Sequence, residues 1–378
     1  MNSNRRALVL GASGGIGGEV AVRLVQRGWE VHALQHRSRM GGRRGNGIYW
    51  WRGDALNRDD VMQAAKGATL IVHAVQPSIY QDGDTQSLPM LQHSLDAAIA
   101  GRARLLLPGA ACNYGPSPAV AEDAPQRPQT RRGALRVEME RRLREAVAQG
   151  ARALIVRSGD HFGPYAGHSW FSQGLLEPGR EAGGLRYPGR SGIGHQWCYQ
   201  PDLAETMMRL IENEERLDAY ESFHVGGHWD ADGGAMTAAI ARALDRPNLR
   251  VKRFPWALLR MSSPLLPMLR DIAEQRRLWM QPVRLDNRRL LAFLGEEPRT
   301  DLDTAVRDTL YGMGCLRAPP PAQPAVASAS LAPERVPFEL AVLERSLLDR
   351  ALQGRAMQDQ AAQAHALRQR CEALATAA

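Results

Sequence analysis

The chain has 378 residues, 44% of them apolar and 23% charged, enough to build one large packed domain or two smaller ones. It holds no apolar run of about 18 residues, so no membrane-spanning segment is expected. Its charge of +8 comes from 48 basic residues of which only Lys66 and Lys252 are lysines, and the arginines are scattered, which argues against nucleic-acid binding as the main role.

The run Arg5 to Leu10 predicts a buried strand. It is followed by Gly11-Ala12-Ser13-Gly14-Gly15-Ile16-Gly17 and by an apolar stripe at Ile16, Val20, Ala21 and Leu24 with helical spacing. Strand, glycine turn and helix in this order form the setting in which such a turn holds a dinucleotide. Gly11 allows a sharp turn, Gly14 lets a pyrophosphate approach the main chain, and Gly17 lets helix and strand pack closely. Amides at the positive end of the helix then face the phosphates.

Gly28 is placed as a helix C-cap and Trp29 to Leu34 as a second strand. About 20 residues past the glycines, an NAD site carries an acid for the ribose hydroxyls. This chain has Gln35-His36-Arg37-Ser38-Arg39 there. A guanidinium binds a 2′-phosphate bidentately, so Arg37 predicts NADP(H) in preference to NAD(H). The alternative is a solvated arginine loop.

Strands are expected at Ile48 to Trp51 (ending at Gly53-Asp54), Thr69 to Val75, Ala103 to Leu107 and Arg152 to Val156. Helices are expected at Asn57 to Ala65, Leu88 to Gly101 and Arg131 to Gln149, with Glu138–Arg142 and Glu140–Arg144 as surface pairs on the last. The alternation predicts an α/β fold, a Rossmann doubly wound parallel sheet with the cofactor across its carboxyl ends.

Beyond Gly159 the rhythm loosens into glycine, proline and aromatic segments, which suit a small C-terminal substrate lobe. The expected organisation is residues 1–317 for the nucleotide-binding domain with its lobe, the lobe lying mainly in 159–200 and 223–317. Residues 318–333 read as a Pro/Ala-rich linker and 334–378 as a charge-neutral helical tail. The tail is free to pack on the domain, to meet a protein partner, or to stay partly unfolded. Cys112, Cys198, Cys315 and Cys371 form no CxxC pair, so no metal site or disulfide framework is expected, and with no leader before the first strand the chain reads as cytoplasmic.

Taken in order, these motifs resemble the extended short-chain dehydrogenase/reductases, the NAD-dependent epimerase/dehydratase group, over roughly residues 5–310. The resemblance rests on the glycine turn, Asp54, Val72-His73-Ala74-Val75-Gln76-Pro77, Asn113-Tyr114-Gly115, Arg157 to Pro164, and Tyr199-Gln200-Pro201-Asp202-Leu203-Ala204. It implies cofactor contacts from Gly11, Ser13, Gly14, Gly15, Ile16, Gly17, Arg37, Asp54 at the adenine edge, Ala74 and Gln76. It also implies a homodimer paired through the helices Leu88 to Gly101 and Arg131 to Gln149.

The family's proton relay of serine, tyrosine and lysine is replaced. Ala110, Arg132 and Arg136 stand at those positions. Arg136 can still hold a ribose or a phosphate, whereas Arg132 cannot cycle a proton near neutrality. Tyr114, His161 and His195 fall on loops near the cleft, and Tyr114, His161 and Arg136 are the catalytic candidates. The plainer alternative has Tyr114 packing and His161 capping a loop. Trp197 and Tyr199 either stack on a substrate ring or fill the lobe, and Asp202 is expected to cap a helix starting near Leu203. The function expected is an NADP(H)-binding oxidoreductase or epimerase acting on a small polar or sugar-like substrate. The alternative is a non-catalytic NADP(H)-sensing protein that reports to a partner through the C-terminal helix.

Overall fold

The computed structural model describes residues 5–35, 42–43, 47–76, 83–166, 169–176, 184–257, 259 and 267–316. Arg37, the linker and the tail, for which the sequence gives expectations, lie outside these residues. Strand β1 (Arg6–Leu10) sets the layering, because its side chains alternate between two apolar clusters. Ala7 and Val9 pack with Val20, Ala21 and Leu24 of α1 (Gly15–Gln26), while Leu8 and Leu10 pack on the other face with Leu91 and Leu95 of α3 (Gly83–Gly101). A strand buried on both faces needs helices on both sides, which is the doubly wound arrangement.

Around β1 lie β2 (Glu30–Gln35), β3 (Gly42–Arg43), β4 (Ile48–Arg52), β5 (Leu70–His73), β6 (Arg104–Ala110), β8 (Arg152–Ser158) and β12 (Tyr220–His224), in the order β12-β8-β6-β5-β1-β2-β4-β3. Every pairing is parallel except that of β3 with β4. The strand order reverses between β1 and β5, so the crevice for a ligand opens at the carboxyl ends of those two strands. Helices α2 (Arg58–Ala64) and α4 (Arg131–Ala148) complete the flanking layers, each with a side-chain cap: Asn57 Oδ1 accepts from the amides of Asp59 and Asp60, and Thr130 Oγ1 from that of Gly133.

The remaining elements build the second lobe. Strands β9 (Asp160–Phe162), β11 (His195–Tyr199) and β13 (His228–Asp230) form a small sheet, and β10 (Leu185–Tyr187) pairs with β14 (Val251–Arg253). Strand β7 (Ser117–Val120) pairs with β15 (Val283–Leu285). Helices α5 (Gln200–Glu212), α6 (Ala235–Ala243), α7 (Pro267–Trp279), α8 (Arg288–Leu294) and α9 (Leu302–Gly312) complete the described chain. Trp197 and Tyr199 are buried with Phe162, Phe171 and Trp279, so both fill the lobe core. Among the described residues no helix is long and apolar enough to cross a membrane, and no cluster of side chains has the make-up of a metal site.

Several boundaries differ from expectation. Helix α3 begins at Gly83, before Leu88, and runs through Pro89. Strand β6 continues past Leu107 to Ala110, because β5 pairs with it only as far as Leu106 and the ring of Pro108 falls where the strand is locally an edge. Helix α5 starts at Gln200 with Tyr199 at its N-cap; the carboxylate of Asp202 instead accepts from the amide and hydroxyl of Thr300 at 2.7 and 2.8 Å. Glu140 is not the surface partner of Arg144: it is buried, and Arg144 lies over the ring of Tyr220.

Candidate cofactor and substrate cleft

The glycine turn is held by close main-chain packing. Gly11 has φ +87°, and a Cβ there would lie 2.5 Å from the carbonyl oxygen of Ala74, so the turn is pressed against the end of β5. The Gly14 amide donates to the Gly11 carbonyl at 2.9 Å, and a Cβ on Gly17 would overlap that same carbonyl oxygen. Gly14 caps α1 without a side-chain bond, no acid lies in the first turn, and Ser13 and Gly14 are exposed while Gly15 and Ile16 are half-buried. Open amides, a helix dipole and a bare cradle together fit the diphosphate of a dinucleotide.

A residue of the Tyr199-to-Ala204 motif to which the sequence assigned no role closes this cradle. Gln200, at the first position of α5, lays its amide over Gly15, where a Cβ would come within 2.6 Å of both Oε1 and Nε2. Its Oε1 is buried without a hydrogen-bond partner. Asp54 follows β4; its amide donates to Asp60 Oδ2, and its Oδ1 accepts from the Leu56 amide at 2.9 Å.

Two guanidiniums stand at the carboxyl ends of β5 and β6. Arg132 Nη2 donates to Gln76 Oε1 at 2.9 Å, and Arg136 Nη1 donates to the Pro108 carbonyl at 3.2 Å. Among the described residues neither has a carboxylate partner. Burial and the neighbouring Arg132 hold the Arg136 guanidinium below its ordinary pKa. Ala110 ends β6 with no hydroxyl to offer.

Two histidines border this patch. His161 lies 2.8 Å through Nε2 from Ser158 Oγ; burial brings its pKa down to about 4, with Arg136 and Arg132 reinforcing the shift against Asp160. His73 is buried, with Nδ1 2.8 Å from Ser94 Oγ. Because that hydroxyl donates to the Met90 carbonyl, the ring donates from Nδ1; burial and Arg136 bring the His73 pKa to about 3. Asp160 Oδ2 is 2.8 Å from His195 Nε2, and His195 stacks on Trp279 with ring centroids 3.7 Å apart. Burial pushes the Cys112 thiol up, and Arg136 and Arg132 oppose it.

Behind the cleft runs a buried polar chain that sequence reading did not assemble. Arg157 grips Glu140 bidentately, Nε to Oε1 at 2.9 Å and Nη2 to Oε2 at 2.7 Å. Asn113 Nδ2 and Gln126 Nε2 donate to the same carboxylate at 2.8 and 2.6 Å. Arg157 Nη1 also donates to His224 Nε2, whose Nδ1 donates to the Val120 carbonyl at 3.0 Å. That ring is neutral, its pKa brought to about 3 by burial and by Arg157. Tyr114 belongs to this chain: its hydroxyl lies 3.1 Å from His224 Nε2, and its ring packs with Val120 and Leu285. The structure thus gathers Gln76, Arg132, Arg136 and His161 at the cleft and places Tyr114 behind them.

Sequence comparison matches the NAD dependent epimerase/dehydratase family over residues 7–226. No curated protein matches the chain. Solved structures resemble this chain in fold at low sequence identity. UDP-glucose 4-epimerase from Bifidobacterium longum, in complex with NAD+ and UDP, has TM-score 0.62 and 13% identity over 82% of this chain and 100% of that one. UDP-glucose 4-epimerase from Brucella ovis in complex with NAD has TM-score 0.63 and 17% identity over 82% and 98%. The Bordetella bronchiseptica enzyme WbmH in complex with NAD+ has TM-score 0.60 and 15% identity over 82% and 97%.

Proposed function

From membership of the NAD-dependent epimerase/dehydratase family, to which this chain belongs, we propose an NADP(H)-linked oxidoreductase or epimerase that acts on a small polar or sugar-like substrate. The observation that carries the reading is the uncapped first turn of α1 standing beside Gln76, Arg132, Arg136 and the Ser158–His161 pair. Bound cofactor supplies hydride chemistry. The chain's own part is to fix the diphosphate on the amides of Gly14 to Gly17 and to hold the substrate beside the cofactor with the guanidiniums of Arg132 and Arg136. His161, neutral near pH 7, passes a proton through the Ser158 hydroxyl. Tyr114 supports the fold through His224. Two copies pair through α3 and α4.

Preference for NADP(H) rests on Arg37 and its neighbouring arginines in the sequence. Fluorescence titration with NADPH and NADH measures it, and Arg37→Asp is expected to shift the ratio toward NADH. An unchanged ratio overturns the assignment to Arg37. Turnover with a panel of carbonyl compounds and nucleotide sugars tests the reaction.

The second reading, an NADP(H) sensor, draws on Ala110, Arg132 and Arg136, which leave none of the family's relay groups in place. Neither lysine of the chain stands in for them. Lys66 lies at the amino end of the sheet, where its carbonyl accepts from Arg6, and Lys252 lies on β14. Cofactor binding without NADPH oxidation by any compound selects this reading.

A further inference from the structure

We propose that Arg132 and Arg136 form an oxyanion clamp, so that the substrate presents a carboxylate or phosphate group to the carboxyl ends of β5 and β6. The proposal deepens the functional reading above and rests on it for the substrate's place beside the cofactor.

The geometry is that of a two-sided grip. The two arginines are one turn apart on the same face of α4, and their guanidiniums reach neighbouring strand ends, Gln76 just beyond β5 and Pro108 in β6. Residues four apart on a helix are neighbours, so both forks lie on one side of α4, where a carboxylate or phosphate has accepting edges for each. Among the described residues, the nearby acids are already hydrogen-bonded elsewhere. Asp160 faces His195 at 2.8 Å, and Glu140 is held by Arg157 at 2.7 Å. The other neighbours, His161, His73 and Cys112, bring no negative charge of their own near pH 7.

Two guanidiniums placed together with only neutral acceptors repel each other. A buried or half-buried cation without a counter-ion is costly, and its cheapest remedy is an anion. Arg136 is half-buried and fixed on a main-chain carbonyl, whereas Arg132 is exposed and held by one amide oxygen. A ligand anion would therefore displace only the Gln76 contact and would gain charge-assisted bonds from both forks. The position matters for chemistry too. An anion held here lies one strand over from the strand-order switch and within electrostatic reach of His161, which is paired with Ser158.

The test is calorimetry on the full chain in a weakly coordinating buffer, with malonate and inorganic phosphate as separate probes, each titrated with and without saturating NADP+. Wild type is expected to bind at least one probe. Arg132→Gln is expected to weaken that binding about 10- to 100-fold, the loss of one or two charge-assisted hydrogen bonds, while its NADP+ affinity stays within twofold. Arg132→Lys, which keeps charge but loses the fork, should fall between. Tighter malonate binding assigns the site to a carboxylate, and tighter phosphate binding to a phosphoryl group. Equal binding of both probes by wild type and Arg132→Gln, or no binding of either by wild type, overturns the clamp. Failure of wild type to bind any pyridine dinucleotide sinks the functional reading instead, and the probe titrations without cofactor still decide the clamp.

Discussion

Replacing Arg157 by methionine tests the buried chain that positions α4. Arg157 is 0% and Glu140 3% exposed, so neither charge has water to fall back on. The substitution removes both forks on Glu140, at 2.9 and 2.7 Å, and leaves the carboxylate with only the amides of Asn113 and Gln126. Removing one partner of a buried pair costs about 3–5 kcal/mol, because the survivor is an uncompensated charge. At about 1–2 °C per kcal/mol for a domain of about 300 residues, Tm should fall by roughly 3–10 °C, read by circular dichroism. The double variant Arg157→Met/Glu140→Gln has no buried charge left, and the same two neighbours can still bond its amide. It should recover at least half of the loss. Glu140 sits one turn beyond Arg136, so the single variant should weaken anion binding as well. A loss below about 1 kcal/mol, or a double variant no better than the single one, would show that the pair is not what anchors this helix.

The glycines of the turn should differ sharply. Gly17→Ala puts a methyl against the main-chain carbonyl of Gly11 and should cost about 1–3 kcal/mol with loss of NADP+ binding, whereas Gly15→Ala meets only the end of the Gln200 side chain and should cost less; urea midpoints that rank the two equally refute the packing argument. Gln200→Leu removes the free acceptor over Gly15 and should weaken NADP+ about 2- to 10-fold by calorimetry, the worth of one neutral hydrogen bond; unchanged affinity would reduce Gln200 to a space filler. Four histidines have depressed values, His73 and His224 at about 3 and His161 and His228 at about 4. Their folded forms resist protonation that the unfolded chain accepts near pH 6.5, so this stability is present above that pH and is lost as pH falls toward 4. A Tm that stays level from pH 7 to 4.5 would contradict this.

Much of the nucleotide-binding half was legible because its signals are local. The runs that became β1, β2 and β5 show their burial in consecutive apolar residues, and the turn at Gly11 to Gly17 shows its geometry in its glycines. The errors fall where a distant partner decides. Glu140 looks like a surface acid four residues before Arg144 until β8 brings Arg157 beneath the helix. Asp202 looks like a cap until Thr300 arrives from nearly a hundred residues away. The short strands of the lobe, three to five residues long, carry little periodicity to read, since β9, β11 and β13 are defined by pairing with one another.

The same logic separates what the sequence says of the place from what it says of the chemistry. Glycines and strand order locate a cleft, because backbone approach and topology leave few alternatives. Replacement of the relay reads chiefly as a loss in the sequence, since one arginine among 46 looks like composition. Folding turns two of them into a feature. Arg132 and Arg136 become one patch because α4 lies across the ends of β5 and β6, and among the described residues neither meets a carboxylate, Glu140 being bonded to Arg157 and Asp160 to His195. A charge distribution is thus a property of the assembled partners. In a chain this rich in arginine, the informative arginines are the ones that the fold leaves without a carboxylate.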